Sequence, residues 1–207
     1  MNMKDKNNKV IEIYDSTLRD GAQGEGINSS VQDKLSIVKA LDAFGVKYIE
    51  AGNPGSNPKD LQFFESAAKL KLKNAVLAAF GATRRKDIKP EEDTNLQSLL
   101  TANTPVVAIF GKSWDLHVTE IIHTTLAENL SMISDTVSYL IKKGKRVVFD
   151  AEHFFDGYKH NAQYAVASLK AAADAGAFCL CLCDTNGGGF GRGCAKRRNA
   201  EIGRAHV

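Results

Sequence analysis

Short apolar runs alternate with stretches of helical periodicity along most of this sequence. Val10–Tyr14, Tyr48–Ala51, Ala75–Phe80, Val106–Phe110, Arg146–Asp150 and Phe178–Cys183 predict strands. Helices are predicted over Ser30–Phe44, Pro58–Leu72 and Asn161–Ala175, near Asn95–Ala102 and within Leu116–Lys143. Gly45, Gly144 and Gly176 follow helix ends, where a left-handed residue is wanted. Ser30 and Asp33 have the spacing of a capping box. Runs apolar on both faces, alternating with helices, predict an α/β protein with a parallel sheet.

Two architectures meet that description. A doubly wound sheet concentrates chemistry at a switch point. A (β/α)8 barrel spreads it over the C-terminal ends of its strands. Here the exits carry Arg19 and Asp20, then Asn53, then Thr83 and Arg84, then Lys112 and Ser113, then Glu152 and His153, then Thr185 and Asn186. That spread favours an incomplete TIM (β/α)8 barrel with about six βα units present and strands 7 and 8 missing.

Composition excludes some functions. A chain 43% hydrophobic and 25% charged has the balance of a globular protein. No apolar run reaches the length of a membrane span, and MNMKDKNNK lacks the apolar core of a signal peptide. Three of the four cysteines fall within five residues, which does not read as a disulfide framework, so a reduced, cytoplasmic protein is expected. Five of the 27 basic residues and one of the 24 acids lie in Gly189–Val207, leaving 22 basic against 23 acidic elsewhere. A near-neutral body with no basic stripe argues against nucleic acid.

The segment Tyr14–Gly26, YDSTLRDGAQGEG, carries the densest chemistry. Its glycines read G-x-x-G-x-G, the reverse of the dinucleotide fingerprint, and no G-K-[ST] follows. A flexible turn would explain the glycines but not Arg19-Asp20. A fixed cation beside a carboxylate suits a site that binds a metal and an oxyanion together.

DSTLRDGAQGEG resembles the signature of the superfamily of pyruvate carboxylase, 2-isopropylmalate synthase, homocitrate synthase and HMG-CoA lyase, the DRE-TIM metallolyases. EAGNPGSNPKD (Glu50–Asp60), DAEHFFDGYKHN (Asp150–Asn161) and LCDTNGG (Leu182–Gly188) resemble its citramalate synthase branch. The resemblance covers roughly residues 9–188, the N-terminal part of the catalytic barrel. It implies an acyltransferase performing a Claisen condensation of acetyl-CoA with pyruvate, in branched-chain amino acid biosynthesis. It further implies a divalent metal, Mg2+ or Mn2+ with Zn2+ the other candidate, and acetyl-CoA as co-substrate. Its partners would be small-molecule substrates, not nucleic acid or membrane, and the full-length parent would be a homodimer. By the same resemblance Arg19 steadies the enolate oxygen, Asp20 ligates the metal, and Gln23 sits by the metal's water and the substrate. Glu152 lies by the substrate hydroxyl and carbonyl, and Thr185 grips the substrate carboxylate. Lys112 and His153 are further pocket candidates, with Ser113, Trp114 and His117 near them.

Each has a plainer reading. Arg19-Asp20 could be a surface ion pair, Glu152 a loop cap, His153 structural and Thr185 a helix N-cap. Asp150 and Asp184 suit buried hydrogen-bonding struts. Cys179, Cys181 and Cys183 would share one face of a strand, the face of Thr185 toward the barrel interior. Same-face neighbours lie roughly 6.6–7 Å apart, too far for three thiolates to close on one zinc, so they read as small buried packing residues. The alternatives in function are a 2-isopropylmalate synthase, homocitrate synthase or HMG-CoA-lyase-like enzyme, or, in another class, a truncated non-catalytic binding domain.

GFGRGCAKRRNAEIGRAHV, Gly189–Val207, has neither strand nor helical stripe. It is read as a non-native or disordered tail, a shifted frame ending in what resembles a translated sequencing adapter. The His-x-His pair expected on a seventh strand is not in it, since His206 has no histidine two residues away. The chain as written is therefore expected to be inactive and poorly soluble, with unpaired sheet edges.

Overall fold

The computed structural model describes residues 3–4 and 10–188, so the tail expected over 189–207 lies outside the described residues. The strands are β1 (Met3–Lys4), β2 (Val10–Ile11), β3 (Tyr14–Asp15), β4 (Tyr48–Glu50), β5 (Val76–Ala82), β6 (Val106–Lys112), β7 (Arg146–Glu152) and β8 (Cys179–Leu182). The helices are α1 (Val31–Phe44), α2 (Pro58–Ala67), α3 (Thr94–Thr101), α4 (Asp115–Glu120), α5 (Leu126–Lys142), α6 (Phe154–His160) and α7 (Ala162–Asp174). Strands β3 to β8 form one six-stranded sheet in chain order. The pairs β3–β4, β4–β5 and β7–β8 run parallel. A doubly wound sheet would reverse its order at a switch point. Strict chain order is the order of a (β/α)8 barrel, as the spread of polar exits predicts.

The predicted first strand is really two. Val10–Ile11 pairs antiparallel with β1, whereas Tyr14–Asp15 pairs parallel with β4. Partners of opposite direction divide the run between them. No helix of the described residues is long and apolar enough to cross a membrane.

The described chain divides into two compact units. The first runs to Gly81 and includes Gln97–Val107. Its core holds Val38, Ile49 and Phe63, all fully buried. Helix α1 begins with the predicted capping box: Ser30 Oγ accepts the Asp33 N–H at 3.1 Å, and the Asp33 carboxylate accepts the Ser30 N–H at 2.8 Å. It ends at Gly45, whose φ of 91° a side chain would resist. Helix α2 starts on an Asn57 cap and stops at Ala67, five residues short of the prediction. The reason lies beyond it. Amides of Lys73, Asn74 and Ala75 donate to the buried Asp42 carboxylate at the end of α1, at 2.8–3.1 Å. Burial pushes the Asp42 pKa up, but these donors outweigh it and hold the carboxyl below its usual range.

The second unit holds Ala82–Leu96 and the chain from Ala108 onward. Phe149, Phe154, Ile133 and Leu140 fill its core. The long helix expected within Leu116–Lys143 is broken in two. His123 takes φ 49° between α4 and α5, and Thr125 caps α5 by accepting the Glu128 N–H. Helix α6 falls where no helix was predicted. Its Gly157 lies against the chain after β6, where a Cβ would stand 2.4 Å from the Ser113 carbonyl oxygen. The Asn129 amide donates to the Lys112 carbonyl at 2.8 Å and to the Tyr164 hydroxyl at 2.7 Å, tying α5 to the end of β6 and to α7.

Candidate functional site

In the first unit the chemistry gathers where β3 and β4 end. After β3 the chain turns back on itself. The Ser16 carbonyl accepts the amides of Arg19, Asp20 and Gly21 at 2.8–3.2 Å, and Leu18 is buried. That turn fixes the backbone of Arg19 and Asp20 without any nucleotide-type loop. The Arg19 Nε donates to Glu50, whose side chain is 1% exposed, and Nη1 donates to Asp20 at 3.0 Å. The guanidinium carbon stands 4.1 Å above the centre of the Phe80 ring. Glu50 also accepts the Tyr14 hydroxyl at 2.5 Å. Arg19 is thus clamped from two sides and backed by an aromatic face, which orients a cation before any anion arrives. The Asp20 side chain is 65% exposed. Gln23 stands exposed on the single 3-10 turn Gly21–Gln23 that follows.

Glu50 was missed as a site residue. It lies one residue before the end of the predicted strand Tyr48–Ala51, so its position near an exit was legible, but its pairing with Arg19 spans 31 residues of sequence.

In the second unit the exits of β6, β7 and β8 supply the candidates. Lys112 at the end of β6 forms an ion pair with Glu152 at the end of β7. The next residue, His153, takes φ 53° and opens α6. Its backbone N–H donates to the Thr185 hydroxyl at 3.0 Å, so Thr185 steadies this turn and retains its own proton to donate. The Asp156 carboxylate accepts the Asn186 amide at 2.8 Å, with His153 Nδ1 at 3.4 Å from the same oxygen. A ring cluster stands beside them: Trp114 stacks on His117 at 4.7 Å, and His117 meets His153 edge-on at 4.6 Å. Burial, then His153 and Lys112, push the His117 pKa below its ordinary value and favour the neutral ring. The Trp114 indole nitrogen is buried without a hydrogen-bond partner.

The three cysteines depart from expectation: they are half-buried, not buried. Strand β8 ends at Leu182, which places Cys183 off the regular pleat. Its Sγ stands 3.9 Å from Cys181 Sγ, well inside the spacing of a continuous strand. Asp150 pairs in register with Cys181 across β7 and β8. The ligand atoms of Asp150, Cys181 and Cys183 all lie within 4.8 Å of one another.

A hard divalent ion takes six or more oxygen ligands. Asp20 offers one carboxylate, already paired with Arg19. Among the described residues, grouped donors occur at Asp150, Cys181 and Cys183, not around Asp20. The described residues therefore offer such an ion one protein ligand, the Asp20 carboxylate.

The sequence pattern of the HMGL-like family matches residues 10–196. The (R)-citramalate synthase of Aquifex aeolicus (strain VF5) is 57% identical over 178 residues, 86% of this chain and 34% of the relative. That of Synechocystis sp. (strain ATCC 27184 / PCC 6803 / Kazusa) is 56% identical over 176 residues, 85% of this chain and 32% of the relative. By contrast, the 2-isopropylmalate synthase of Listeria monocytogenes serotype 4a (strain HCC23) is 31% identical over 179 residues, 86% of this chain and 33% of the relative. The chain thus spans about a third of the length of these relatives. Among solved structures, the HMG-CoA lyase of Bacillus subtilis superposes with a TM-score of 0.74 at 18% identity, over 94% of this chain and 64% of that one. It shares the fold. The match over 10–196 and the gap between 57% and 31% identity lead to one assignment: the chain belongs to the HMGL-like family, in its citramalate synthase branch.

Proposed function

We propose that this chain carries catalytic residues of an acyltransferase that condenses acetyl-CoA with pyruvate to give citramalate. The observation that carries the reading is the 57% identity to a citramalate synthase over 178 residues. In the reaction the acetyl-CoA methyl group loses a proton, and its carbanion adds to the pyruvate ketone. The resulting alkoxide takes up a proton. Water then cleaves the thioester, releasing coenzyme A as a free thiol.

Arg19, preset by Glu50, Asp20 and Phe80, holds the developing oxyanion. A carboxylate and a fixed aromatic face lower the reorganisation needed when charge appears there. Glu152, charge-balanced by Lys112, faces the substrate hydroxyl and carbonyl. Thr185, already accepting from His153, donates its hydroxyl proton to the substrate carboxylate. His153 belongs to the pocket wall, and Gln23 contacts substrate or its water. Family membership implies a divalent metal, which would polarise the 2-keto acid as a Lewis acid with Asp20 among its ligands.

The test is a chimera in which residues 10–188 replace the matching segment of the Aquifex aeolicus relative. It would be assayed for thiol release with pyruvate, 2-ketoisovalerate and 2-ketoglutarate. The expected result is a clear preference for pyruvate. A folded chimera that prefers 2-ketoisovalerate, or that releases no thiol with any of the three, contradicts the reading.

A further inference from the structure

The group Asp150, Cys181 and Cys183 takes no part in the proposed condensation. Sequence spacing alone argues against it, because regular same-face residues on a strand stand too far apart for a shared ion. The structure removes that objection in two ways. Cys183 lies beyond the last residue of β8, so the pleat does not hold it away from Cys181. The third donor comes from the neighbouring strand, where Asp150 is the register partner of Cys181.

The distances match a real coordination polyhedron. Tetrahedral zinc–thiolate bonds of about 2.3 Å put two sulfurs about 3.8 Å apart. The Cys181 and Cys183 sulfurs are 3.9 Å apart. All three donor atoms fall within 4.8 Å of one another, so shifts of about 1 Å close the set on one ion. The donors also lie in a protected setting. Asp150 is 8% exposed and both cysteines are half-buried. Two thiolates select a soft or borderline ion over magnesium or calcium. Cys179 is not in the group.

We propose that Asp150, Cys181 and Cys183 form a binding site for a thiophilic divalent ion of the zinc class. Three protein ligands leave a fourth position for water or a small ligand. Asp20 is not among its ligands.

The test uses the full 207-residue chain, reduced and freed of metal. Cadmium is added, and the rate of alkylation is followed at each cysteine by peptide mass spectrometry. Thiolate-to-cadmium absorption is read in parallel. The expected result is one cadmium per chain, with alkylation of Cys181 and Cys183 slowed at least tenfold and that of Cys179 unchanged. A chelator should restore the original rates. Asp150→Asn should raise the cadmium concentration needed by about tenfold, in line with loss of one ligand of three. Cys181→Ser and Cys183→Ser should each lower the absorption, while Cys179→Ser should leave it intact. Circular dichroism of each variant separates a lost ligand from a lost fold. Slowing that is equal at Cys179, Cys181 and Cys183, slowing that survives Asp150→Asn at the same cadmium concentration, or no slowing in the folded wild-type chain would overturn the proposal.

Discussion

Arg19 illustrates what a single side chain needs from its surroundings. Its Nε is joined to a carboxylate that is almost completely buried, and that carboxylate also accepts the Tyr14 hydroxyl. Removing one member of such a pair leaves the other uncompensated, which costs about 3–5 kcal/mol. Arg19 is 22% exposed and keeps Asp20, so Glu50→Ala should cost less than that, about 1–3 kcal/mol in urea titrations, still beyond the about 0–1 kcal/mol of an exposed pair. A loss below about 1 kcal/mol would show that Glu50 does not hold Arg19. The Arg19-Asp20 dipeptide was legible from its motif. The carboxylate that orients it was not, because nothing local marks an acid 31 residues away as its partner.

Tyr164 gives a second residue-scale expectation. Burial pushes its phenol from about 10 up to about 12, against a smaller opposing effect of the hydrogen bond from Asn129. The unfolded chain therefore loses this proton at a lower pH than the folded one. The contribution is fully present below about pH 10 and is lost as pH rises toward about 12. Urea midpoints should fall across that window more steeply for the wild type than for Tyr164→Phe. Equal slopes would mean that the phenol is not shielded in the folded state.

At the scale of elements, α6 shows how a short helix escapes a sequence reading. It has seven residues, begins at a left-handed histidine and contains a glycine. Helical periodicity cannot establish itself over so short a run, and glycine lowers propensity by about 1 kcal/mol. The glycine is there for space. A Cβ at Gly157 would stand 2.4 Å from the Ser113 carbonyl oxygen and 2.9 Å from the Trp114 Cα, backbone atoms that cannot step aside. Gly157→Ala gains about 1 kcal/mol of propensity but costs about 1–3 kcal/mol or more in overpacking, so the collision should win. The expected outcome is net destabilisation in urea with altered Trp114 fluorescence. A variant as stable as the wild type would place α6 elsewhere. The split of α4 from α5 was better marked, since Thr125 and Glu128 have capping-box spacing. The apolar residues on both sides of the break concealed it.

At the scale of the molecule, the alternation of strands and helices forecast the parallel sheet, and the spread of polar residues over the strand exits forecast its chain order. The reason is physical: a parallel sheet needs apolar strands and a crossover helix between each pair, and both leave long, repeated patterns. Side-chain partnerships leave none. Arg19 with Glu50, Lys112 with Glu152, and Asp150 with Cys181 all join residues brought together by topology. The resemblance could name Arg19, Glu152 and Thr185, with Lys112 and His153 as pocket candidates, but not which of them pair, and it did not name Glu50. Catalysis would rest on those holding contacts as much as on the named residues, because a preset donor is what distinguishes transition-state binding from substrate binding.

The role proposed for Arg19 is to stabilise the oxyanion of a condensation between acetyl-CoA and pyruvate. Its most direct test is citramalate formation, followed by NMR, in the chimera carrying residues 10–188, with and without Arg19→Ala. The parent chimera should form citramalate, and kcat should fall about 10²–10³-fold in the variant, the usual cost of losing one oxyanion donor. A folded variant that forms citramalate at the parent rate would contradict it.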